Sequence, residues 1–273
     1  MKKYLILSLI LFLLFSVFPA YALDIDPMRL EYTIAPGKTY SGSFRISNPS
    51  NFAVDVFLST DEYRYIFTEG TIPPEDKRKA LPSCKGWFQF GRTKLSLNPG
   101  EFADAKFFIT VPKNAAREHL CAVIFDEKRT LEKITAKAKA GNVQLHVTPR
   151  FSIPVYVSIK NTARAEAAIT NIAAASGPNG DSVKIDITLK NTGTVHIRPF
   201  GTLVILNQNS EIVKDLPIGK TLPLFPGYTT QIPVICPKLP AGKYSAVATI
   251  ETSENTIIQK KTIFVLKNTG EVR

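Results

Sequence analysis

Three histidines, three cysteines and one tryptophan carry most of the reactive chemistry in this 273-residue chain. His119, His146 and His196 stand far apart, each inside or beside an alternating apolar pattern. No His-Glu-x-x-His, Gly-x-Ser-x-Gly or phosphate-binding loop occurs, and no Cys and His stand at zinc-ligand spacing. Asp24 and Asp26 offer two carboxylates where Ca²⁺ takes roughly 6–8 oxygens. Trp87, beside Phe88 and Phe90, has the makings of a sugar-stacking platform, yet a lone Trp in a β-protein is more often core. The pattern holds no nucleophile–base pair. It predicts a protein that is not an enzyme and needs no metal or cofactor.

The first 22 residues set the compartment. Lys2 and Lys3 precede an apolar run, Tyr4 to Phe18, interrupted only by Ser8 and Ser16. Pro19 and then Ala20-Tyr21-Ala22 end it, the layout of a secretory signal with an Ala-x-Ala cleavage site. The run is shorter than the ~20 residues of a membrane span, and no later stretch is long and apolar enough. Residues 1–22 are therefore expected to leave a soluble, periplasmic or otherwise extracytoplasmic chain beginning at Leu23.

In an oxidising compartment thiols tend to pair. Cys84 and Cys121 share one half of the chain and Cys236 lies in the other. A Cys84–Cys121 disulfide closes a loop of about 37 residues, worth roughly 3–4 kcal/mol if unstrained. Two small buried hydrophobes are the alternative. The bridge is expected, with Cys236 free. Net charge is +11, or +9 without Lys2 and Lys3. The charges are scattered apart from Asp76-Lys77-Arg78-Lys79, and export argues against nucleic acid, so basicity points only to an acidic partner.

These residues are positioned by strands. Apolar periodicity is two almost throughout, in runs rich in β-branched and aromatic residues. The first half predicts strands at Arg29–Thr33, Thr39–Ser47, Ala53–Thr60, Gly86–Phe90, Ala103–Val111, Leu120–Phe125 and Val143–Ile159. Turn sequences such as Ala35-Pro36-Gly37-Lys38 and Asn98-Pro99-Gly100-Glu101 separate them. Lys128–Ala140 has helical composition without a clean apolar stripe, and reads as a mobile loop or a short helix. The second half predicts Val183–Asn191, Thr202–Leu206, Glu211–Leu216, Thr229–Val234, Gly242–Thr252 and Thr256–Leu266. Two echoes link the halves: ISNPSN (46–51) with LKNTGT (189–194), and LNPGE (97–101) with LFPGY (224–228). The expected fold is all-β, with two tandem immunoglobulin-like sandwiches over 23–160 and 161–273.

Three segments of the first half carry a family likeness: Asp26–Val56, Leu95–Pro112 (LSLNPGEFADAKFFITVP) and Asn142–Val157 (NVQLHVTPRFSIPVYV). In order and spacing they resemble the PapD-like periplasmic pilus-assembly chaperones, notably a divergent branch ending Ile-Pro-Val-aromatic-Val. The second half matches more loosely, through LKNTGTVHIRPFGTL and PLFPGYTTQIPV. The resemblance implies a protein partner, a pilin-like or other envelope subunit lacking one strand, whose apolar groove takes alternating side chains from an edge strand. Val143, Leu145 and Val147 have that alternation, as does any half-buried strand. It also implies two basic residues in the inter-domain cleft that hold the partner's C-terminal carboxylate. Arg29, within MRLEY, matches the first. Pro154 stands where the family has a lysine, and Arg150, four residues earlier on the same strand face, is the nearest basic side chain. The other reading is a non-catalytic structural or adhesion module of the envelope.

Overall fold

A computed structural model describes residues 22–63, 81–129, 135–138, 141–144, 149–177, 182–219, 221–252, 256–267 and 272. Period-two patterns become strands: β1 (Asp24–Asp26), β2 (Leu30–Ile34), β3 (Thr39–Ser47), β4 (Val54–Asp61), β5 (Phe88–Phe90), β6 (Lys94–Leu97), β7 (Phe102–Thr110) and β8 (Glu118–Arg129). A small hairpin, β9 (Thr135–Ala138) and β10 (Gly141–Gln144), leads to β11 (Arg150–Ile159). After Lys160–Arg164 come β12 (Ala167–Ser176), β13 (Val183–Asn191), β14 (Phe200–Leu206), β15 (Ile212–Ile218), β16 (Thr229–Cys236), β17 (Gly242–Glu251) and β18 (Ile257–Leu266). The one helical element among the described residues is a 3₁₀ turn, Lys85–Trp87.

The protein is all-β, with two sandwiches in tandem. In the first, a four-stranded sheet (β1-β3-β7-β5) packs on a five-stranded one (β2-β11-β8-β4-β6). In the second, β12-β13-β16 packs on β15-β14-β17-β18. Each has its own core. Phe44 sits 5.1 Å, ring to ring, from both Phe107 and Phe125 in the first, and Ile185, Ile187, Leu203 and Ile205 are fully buried in the second. Burying one such side chain stabilises the fold by roughly 1.5–3 kcal/mol. A third, smaller cluster joins Leu120 and Tyr156 of the first sandwich to Phe225 of the second.

The two sequence echoes are one corner built twice. Asn48, buried after β3, donates its side-chain amide to the carbonyls of Phe52 (2.8 Å), Leu97 (3.2 Å) and Asn98 (3.1 Å), while its oxygen accepts from Ser50. Its backbone meets the Pro-Gly turn, donating to Glu101 and accepting from Gly100. Asn191, ending β13, donates to the carbonyls of Val195 (2.9 Å) and Leu224 (2.7 Å) and accepts from Gly193. Its backbone donates to Tyr228 and accepts from Gly227. Gly100 and Gly227 stand at φ +74° and +82°, the left-handed region that these turns require.

Several expectations need correction. Lys128 and Arg129 finish a twelve-residue strand and Thr135–Ala138 forms another, so pairing overrides the helical composition there. The run expected from Val143 to Ile159 is two strands, β10 and β11, not one. β1 and β6 are too short, and the long, Ala-rich β12 has too little alternation, to be visible in sequence. All three cysteines are buried, Cys84 and Cys121 in the first core and Cys236 in the second, and none is bonded to another in the structure.

Replacing either corner Asn with Ala strips donors from two or three carbonyls. Each change is expected to cost roughly 2–3 kcal/mol in chemical denaturation. Asn191→Ala is expected in addition to disturb the contact between the sandwiches, because Asn191 holds the turn that presents Phe225.

Candidate functional site

Two features share β11: a half-open strand edge in its first half and a charged cleft at its other end, where the sandwiches join. The edge belongs to β11. Glu127 N–H donates to the Pro149 carbonyl (2.9 Å) and Ile159 N–H to the Arg117 carbonyl (2.8 Å), which sets the phase of the antiparallel β8–β11 ladder. Odd-numbered residues of β11 bond β8, and even-numbered residues turn their backbone groups the other way. There β2 runs parallel, from Val155 opposite Leu30 to Ile159 opposite Ile34. Upstream of Val155, among the described residues, no strand pairs with that side. Arg150 and Ser152 thus present N–H and C=O groups that face no strand among the described residues. Pro154 points its missing N–H the same way, which leaves the β8 ladder whole.

Of the residues expected to meet a partner, Val143 lies in β10 opposite Ala136 of β9. Leu145 and Val147 lie outside the described residues. Arg150 is at the far end of β11 from the cleft, in a bidentate pair with Asp126 of β8 (2.7 and 3.1 Å). Arg29, just before β2, contacts Glu31 at 2.8 Å. The structure does not bring Arg29 and Arg150 together: six strand positions separate Arg150 from Tyr156, which stands opposite Glu31.

The cleft is built from residues that the sequence did not single out for this role. It encloses about 360 Å³ and is lined by Glu31, Thr33, Glu118, Tyr156, His196 and Arg198 among others. Glu118, at the start of β8, has a side chain only 1% exposed. It accepts from His196 Nδ1 at 2.7 Å, from the His196 backbone N–H at 2.8 Å and from the Ser158 hydroxyl at 3.2 Å. The other side of the His196 ring faces Glu31 at 3.6 Å, and Arg198 donates to Glu31 at 2.9 Å. Tyr156 lies against His196, with centroids 4.3 Å apart. One imidazole from the second sandwich is therefore clasped by two carboxylates of the first. The available signal was charge in apolar strand patterns: Glu118 opens EHLCAVIF, and His196 and Arg198 alternate in VHIRPF.

Burial acts most strongly on His196 and disfavours its imidazolium, yet the bonds to Glu118 and Glu31 outweigh it and raise the pKa above the ordinary histidine value. The Glu31 carboxyl is held down to about 2, chiefly by His196 and further by Arg198, against the opposing effect of burial. The arrangement binds charge and fixes geometry. Among the described residues no group of His, Cys, Asp and Glu could hold a metal ion, and no helix is long and apolar enough to cross a membrane.

No family model and no curated protein matches the chain. Among solved structures it is similar to the class 5 fimbriae chaperone CfaA (13% identity, 89% of this chain and 98% of that one, TM-score 0.45). It is similar also to the E. coli chaperone DraB (13% identity, 89% and 98%, TM-score 0.41). A third is the CsuC–CsuE chaperone–tip adhesion subunit complex of Acinetobacter baumannii (14% identity, 89% and 97%, TM-score 0.40).

The joint is expected to be pH-dependent with a definite sign. The raised His196 contributes fully below its unfolded value near 6.5, and this is lost as pH rises through the folded value. The depressed Glu31 contributes fully above about 4.5, and this is lost as pH falls towards about 2. Stability measured by denaturant at a series of pH values should therefore peak between about 4.5 and 6.5 and decline above. His196→Ala, which leaves Glu118 buried without its partner, should cost roughly 3–5 kcal/mol and abolish the decline.

Proposed function

We propose that this chain is an extracytoplasmic chaperone that captures a β-strand-deficient envelope subunit by strand pairing along β11 and the segment before it. One observation carries the reading: the first half of β11 is hydrogen-bonded to β8 on one side and, among the described residues, has no strand on the other. An open edge is a template for an extended chain, and a free one invites aggregation unless something occupies it. The residues next upstream, Leu145 and Val147, would extend that edge with the apolar alternation that an incomplete sandwich requires. The open edge leads along β11 towards the cleft, where Arg29 at the rim and Arg198 within supply cations for a partner's terminal carboxylate. Arg suits that task because its planar fork matches a carboxylate. In this reading Arg198 takes the place of the lysine that Pro154 displaces.

Ser152→Pro tests the edge directly. It deletes an N–H that faces away from β8, so the melting temperature should stay within about 3 °C while a partner co-purified from the native envelope fraction is lost. Leu145→Asp should likewise abolish capture with little change in stability, because the carboxylate enters an apolar groove without a partner. A Leu145→Asp protein that unfolds, or a Ser152→Pro protein that keeps its partner, contradicts strand capture and favours the envelope-module reading.

A further inference from the structure

The structure points to a Cys84–Cys121 disulfide in the exported protein that staples the strap Leu81–Trp87 to β8, directly behind the inter-domain joint. The geometry comes from backbone register. Ser83 bridges Leu120 in parallel, with Leu120 N–H donating to Pro82 (2.7 Å) and Cys84 N–H donating to Leu120 (3.1 Å). The next pair in that register is Cys84 opposite Cys121. Neighbouring strands lie ~4.8 Å apart, inside the ~4.4–6.8 Å that a disulfide spans between Cα atoms. Both side chains turn into the first core, and both are fully buried.

The same strap serves the joint. Leu81 packs on the Leu120–Tyr156–Phe225 cluster, the Ser83 carbonyl lies 3.2 Å from His119 Nδ1, and the Trp87 ring lies tilted against His119, centroids 4.3 Å apart. His119 and Leu120 directly follow Glu118, the carboxylate that clasps His196. Three residues of backbone pairing are a weak tether for that role, and a covalent one makes it permanent. Burial, and then the neighbouring Cys121, push the Cys84 thiol pKa up, so the folded pair is unreactive and the bond must form as the chain folds. In that step a thiolate of one cysteine attacks a protein disulfide of the oxidising compartment, and the second cysteine resolves the mixed disulfide. Two electrons and two protons pass to the oxidant, which leaves as a dithiol.

The test uses the exported protein purified without reductant, denatured in excess maleimide and weighed. One label on Cys236 is expected, with three labels after prior reduction. Protein reduced while denatured and refolded in reductant should melt on the order of 10 °C lower than the untreated protein. The same treatment should also shift the emission of Trp87, the single tryptophan of the chain. A Cys84→Ala/Cys121→Ala double variant should melt like the reduced form. Three labels on the unreduced protein, or a label missing from Cys236, overturns the bridge. A bridged protein whose melting and Trp87 emission are the same after reduction in denaturant and refolding in reductant overturns the stapling.

Discussion

A carboxylate with almost no exposure to water constrains the rest of this molecule. Glu118 sits at the seam of two sandwiches, and burying an ionised carboxyl without partners costs several kcal/mol. It is tolerable only because the second sandwich delivers an imidazole, a backbone N–H and, through the strand pairing of the first, the Ser158 hydroxyl. Those partners exist at one mutual placement of the sandwiches. The joint is thereby specified by polar geometry, while the small cluster around Phe225 supplies the apolar contact. A greasy joint of the same size would tolerate sliding. This one does not, because a shift of an ångström leaves a charge unpaired.

The corner asparagines connect that constraint to each core. Asn191 ties the end of β13 to the turn carrying Phe225 and to the carbonyl of Val195, the residue before His196. Phe225 and His196 are thus held by one buried amide. In the first sandwich Asn48 builds the same corner, between the end of β3 and the turn at Asn98–Glu101. The duplicated device is structural in one copy and both structural and positional in the other.

Much of the fold was legible in the sequence because alternation and turn chemistry agree locally. Thr39–Ser47 and Val183–Asn191 have the bounds that their patterns imply, and the echo of ISNPSN with LKNTGT marks a real structural equivalence. The failures share a cause. Lys128 and Arg129 have helical composition, but their β4 partners, Asp55 and Val54, are remote in sequence and outweigh that preference. The cleft was less legible still. Glu118, His196 and Arg198 acquire meaning only when two domains meet, and no local period encodes that meeting. Arg150 misled for the same reason: a position on the right strand face says nothing of distance along the strand.

The account depends most on an edge that is open on one side only, and amide hydrogen exchange resolved along β11 measures it. In the free protein Phe151 and Ile153, bonded to β8, should exchange slowly, whereas Arg150 and Ser152 exchange fast. On partner binding the two fast amides should become protected while the odd-numbered ones hardly change. Uniform slow exchange from Arg150 to Ile153 in the free protein, or no new protection at Arg150 and Ser152 in the complex, would contradict strand capture at this edge.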